Sequence, residues 1–137
     1  MSVVDVQKFK QDGFLIVRNL IPQDIHSRVQ AEIHEVIRQQ LNFIGALTSA
    51  EPSATALFTD LETLFKSDLD RYLASLRLCA KLCSVYNMYL CPDMVNAAKA
   101  LGIEFPVFQT QPVFHVMAEK LRIKDGYFGV GAHQDWP

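Results

Sequence analysis

The stretch from Pro22 to Ile44, "PQDIHSRVQAEIHEVIRQQLNFI", places apolar residues at Ile25, Val29, Ile33, Val36, Ile37 and Ile44. Their separations of three, four and seven put them on one stripe of an α-helix. Arg28, Gln30, Glu32, Glu35, Arg38 and Gln39 lie mostly opposite. A long one-sided helix is stable only when its apolar face is covered, so other elements must pack along it. Pro22 suits the first turn, because it lacks the N–H that goes unbonded there. His26 and His34 are eight residues apart on this helix, about 80° out of phase at 3.6 residues per turn. They make a poor ligand pair and read as solvated side chains.

Shorter elements flank this helix. "VDVQKFKQDG" has Val6 and Phe9 at helical spacing and Asp12-Gly13 as a stop. "FLIVRNLI" is a β-branched and apolar run of strand length. After the polar loop "TSAEPSAT", helical spacing returns with Leu57, Leu61, Leu64 and Phe65. Ser67 and Asp70 resemble a capping box that opens a helix with the stripe Leu69, Tyr72, Leu73, Leu76, Ala80 and Cys83. Pro92 and Asp93 open "DMVNAAKAL", which Gly102 closes.

Beyond Gly102 the pattern changes. "IEFPVFQTQPVFHVMAEKLRI" is rich in Val, Phe and Ile, "KDGY" reads as a turn, and "FGVGAHQDW" as a final strand. The expected fold class is therefore α+β: N-terminal helices, then the first strands of an incomplete sheet, within one domain spanning residues 1–137. Two or three strands do not stand alone in water, so the open edge is expected to pair with a missing C-terminal part or another chain.

The 137 residues are half hydrophobic and one-fifth charged, as in a soluble globular chain. A net charge of -2 gives no basic footprint for nucleic acid. No apolar run reaches the roughly 18 residues of a membrane span, and the first residues carry charges where a signal peptide is apolar. A cytoplasmic location is the expectation. Cys79, Cys83 and Cys91 read as small buried hydrophobes. A zinc site using Cys79, Cys83 and a histidine is the competing reading, and it lacks a recognisable ligand set.

His133 and Asp135 stand two apart in "GVGAHQDWP". In an extended chain, residues two apart face the same side, so an imidazole and a carboxylate can reach one divalent ion. Taken alone, HxD is a weak pattern that also arises by chance. Gly131 and Ala132 just before it allow a ligand to come close.

"FHVMAEKLRI…DGYFGVGAHQDWP", together with the opening "FKQDGFLIVRNLI", resembles the phytanoyl-CoA dioxygenase family of non-haem iron oxygenases. The resemblance is carried by these two places and is weak through the helices between them. It implies a double-stranded β-helix (a jelly roll) holding Fe(II) in a two-His, one-carboxylate triad, with 2-oxoglutarate as co-substrate and ascorbate as a stimulant. It implies His133 and Asp135 as iron ligands, with Met117 and the segment His133, Gln134 and Asp135 lining the 2-oxoglutarate site. A further lysine contact falls on Lys66 or Lys81, and His115 is a strand histidine, not a ligand. The family's distal histidine and its arginine that grips 2-oxoglutarate come from later strands, whereas His26, His34 and His115 all precede the HxD. The sequence is thus expected to be the N-terminal portion of an oxygenase, inactive alone. The retained Asp135 points to hydroxylation of a small organic molecule, because halogenating relatives replace this carboxylate. The alternative is a non-catalytic helical module that docks on a partner through an open sheet edge.

Overall fold

A computed structural model of the chain describes residues 4–46, 48, 53–107, 112–116 and 118–121. The described residues form six helices: α1 (Val6–Asp12), α2 (Gln23–Phe43), α3 (Ala54–Ser67), α4 (Leu69–Cys79), α5 (Cys83–Tyr89) and α6 (Pro92–Ala100). A short 3-10 turn follows at Glu119–Leu121. No helix among them is long and apolar enough to cross a membrane.

The helix α2 is the centre of the packing and touches α3, α4 and α5. Val29, Ile33, Ile37 and Leu41 on its stripe are buried, while Ile25, Val36 and Ile44 are half-buried. Leu61 and Leu64 of α3, Tyr72 and Cys79 of α4, and Val85 of α5 complete the same core. Ile37, Leu41 and Leu64 are fully enclosed, which removes roughly 1.5–3 kcal/mol of apolar exposure for each. The Phe65 and Tyr72 rings meet edge to face at 5.2 Å, joining α3 to α4.

Local chemistry sets the helix ends. Gly13 takes φ 78°, open to glycine without a Cβ penalty, and its N–H donates to the Phe9 carbonyl. Ser53 caps α3 by accepting from Ala56 N–H at 3.0 Å. Asp68, not the expected Ser67–Asp70 box, makes the next corner. Its N–H donates to Leu64 O at the end of α3, and its carboxylate accepts from Arg71 N–H at the start of α4. Ser67 is still the last residue of α3. Arg71 then donates to Gln40 at 2.9 Å and stacks on Phe43 at 4.2 Å, tying the start of α4 to the end of α2.

The α+β class is overturned: among the described residues the architecture is helical, with no strand and no sheet. Residues 14–21 run without regular structure, although Phe14 and Ile16 face solvent while Leu15 and Val17 are half-buried. Residues 112–116 show the same alternation: Phe114 and Val116 pack against the core, and Val113 and His115 point outward. β-Branched content makes a backbone suited to extension, but a strand also needs a neighbour to accept its N–H groups. The helical core covers the inner side of residues 112–116, and no second strand pairs with either stretch among the described residues. The jelly-roll expectation fails there for that reason, and "FGVGAHQDW" lies outside the described residues.

The α4 stripe is also corrected at its ends. Leu69 is 38% exposed, and Cys83 is exposed because α4 stops at Cys79 and a new helix begins. Leu64→Ala should therefore cost about 2–5 kcal/mol in urea unfolding, whereas Leu69→Ala should cost well under 1 kcal/mol. Equal losses at the two sites would contradict this assignment of the core.

Candidate functional site

The sequence-predicted site residues Met117, His133, Gln134 and Asp135 lie outside the described residues. What the structure brings together is a different polar pair. His34 of α2 and Asp60 of α3 face one another, with Nε2 and Oδ2 2.9 Å apart and the side chains only 3% and 2% exposed. With the proton on Nε2 the imidazole donates and the carboxylate oxygen accepts. The expectation of a solvated His34 is corrected. His26, eight residues earlier, is exposed as expected.

The signal for His34 was present in the sequence. It stands seven residues before Leu41 and three before Ile37, inside the apolar arc of α2. Asp60 stands three after Leu57 and four before Leu64, on the stripe of α3. A polar residue at such a position goes into the core and needs a partner there. Each helix supplies one.

A pair of this kind can act in two ways: as an internal tie between helices, or as an oriented imidazole offering its second nitrogen to a ligand. Among the described residues no group of three or more His, Cys, Asp or Glu side chains is placed to hold a metal ion. The enclosure of both groups favours the internal tie.

The cysteines separate by environment. Cys79 is enclosed on α4, and burial pushes its thiol up to about 12. A metal ligand must be a thiolate, which this environment disfavours. Cys83 lies on the surface of α5 and Cys91 is buried, so the reading of all three as buried hydrophobes holds for Cys79 and Cys91 only. Cys79 and Cys83, the cysteines of the competing zinc reading, stand on two different helices, α4 and α5. Beside Cys83, the Glu32 carboxyl is held below its usual range, first by the Arg28 hydrogen bond and then by the nearby Ser84 hydroxyl. Ser84 is buried, and its Oγ makes no hydrogen bond of normal geometry.

Of the two candidate lysines, Lys66 pairs with Glu62 at 2.7 Å on the outer side of α3, and Lys81 is exposed after α4. Comparison with known protein families, curated proteins and solved structures finds no match to this chain.

Two predictions follow from these environments. Asp60→Ala should destabilise the fold by roughly 3 kcal/mol or more, since it removes the hydrogen bond of a buried imidazole, and His34→Ala should also destabilise it by removing that bond from a buried carboxylate. In a double-mutant cycle by urea unfolding, the double variant should lose clearly less than the sum of the two single losses, and simple additivity would show that the two groups are not coupled. In a thiol titration of the native protein near pH 8, one fast-reacting thiol, Cys83, is expected, with Cys79 and Cys91 reacting only on unfolding. Because burial raises the Cys79 pKa, its thiolate fraction is lost below about pH 12, and fast labelling of Cys79 near pH 8 would contradict that environment.

Proposed function

We propose that this chain is part of an Fe(II)- and 2-oxoglutarate-dependent dioxygenase that hydroxylates a small organic molecule. The observation that carries the reading is the run His133-Gln134-Asp135-Trp136 behind "FHVMAEKLRI", the stretch that resembles the phytanoyl-CoA dioxygenase family. One imidazole and one carboxylate two residues apart are a donor set suited to Fe(II). In this reading His133 and Asp135 hold the iron, and Met117 and Gln134 help line the co-substrate site. Bound iron with 2-oxoglutarate supplies the oxidising chemistry; the chain's own residues bind and orient.

Two features of the helical layer support this assignment of roles. His34 is engaged with Asp60 inside the core and is not free to serve as a ligand. Leu121, twelve residues before His133, is 2% exposed and packs into the core beside α3, which fixes the chain at that point to the helices. The helices in this reading are a support for the metal-binding segment. This reading also requires a second histidine ligand and a cation for the far carboxylate of 2-oxoglutarate, which His133 and Asp135 do not supply.

The test is succinate release from 2-oxoglutarate under air, with added Fe(II) and ascorbate. Two protein ligands leave too many positions to water, and without a bidentate grip the co-substrate is not oriented. Residues 1–137 alone should therefore give succinate only at background. Joined to a natural downstream segment, where one is found, the chain should turn over, and Asp135→Ala in that longer protein should abolish the reaction. Turnover that survives Asp135→Ala, or none at all in that longer protein, would overturn the proposal.

A further inference from the structure

We draw no further inference here: the strongest candidate, the exposed apolar surface of Phe105, Val107 and Val113 on the irregular stretch that follows α6, carries nothing because nothing in the structure shows what covers it.

Discussion

The contact between α2 and α3 is the constraint on which the helical layer depends. It combines a continuous apolar seam, Ile33 and Ile37 with Leu61 and Leu64, with one buried polar bond between His34 and Asp60. The apolar part is non-directional and would tolerate small slips of one helix along the other. A hydrogen bond between two enclosed groups does not, because a slip breaks it in a medium that offers no water in exchange. The seam supplies stability, and the pair selects the register.

With α2 and α3 fixed, the remaining elements are placed by shorter-range ties. The Asp68 corner turns α3 directly into α4, and Arg71 brings α4 back to the last turn of α2 through Gln40 and Phe43. Val85 carries α5 into the same core, and Pro92 opens α6 beside α5. The extended stretch at residues 112–116 and the turn ending at Leu121 lie against this assembly through Phe114, Val116, Ala118 and Leu121. The helices thus hold the polypeptide as far as Leu121. In the proposed function that is their part.

The helices were legible where a single physical signal dominated. The 3.6-residue period marked α2 and α3, Asp12-Gly13 marked the end of α1, and Pro92 with Gly102 bracketed α6. The errors came where two signals compete. "FLIVRNLI" and "PVFHV" have the composition and alternation of strands, but pairing depends on a distant segment that composition does not specify. Ser67 and Asp68 are both capping residues, and only the geometry of the α3–α4 corner decides between them. His34 was misplaced because the two histidines were compared with each other and not with Leu41 and Ile37, whose positions assign His34 to the interior. Of the candidate site, the HQD spacing suggests a metal-binding pattern in the sequence, and the segment itself lies outside the described residues. The buried pair needed two helices to be aligned before it could be seen.

Of the four histidines, His34 is buried against Asp60 and His26 and His115 are exposed, while the proposed function gives His133 to the metal; these roles can be measured directly. In the imidazole region of the ¹⁵N NMR spectrum, anaerobic titration with paramagnetic Fe(II) should broaden His133 first. His34 should keep a sharp signal and its Nε2 proton, and His26 and His115 should broaden only at higher metal concentration. Early, selective broadening of His34 with His133 unaffected would contradict the account, because it would place the metal on the helices and leave the HQD segment without a role.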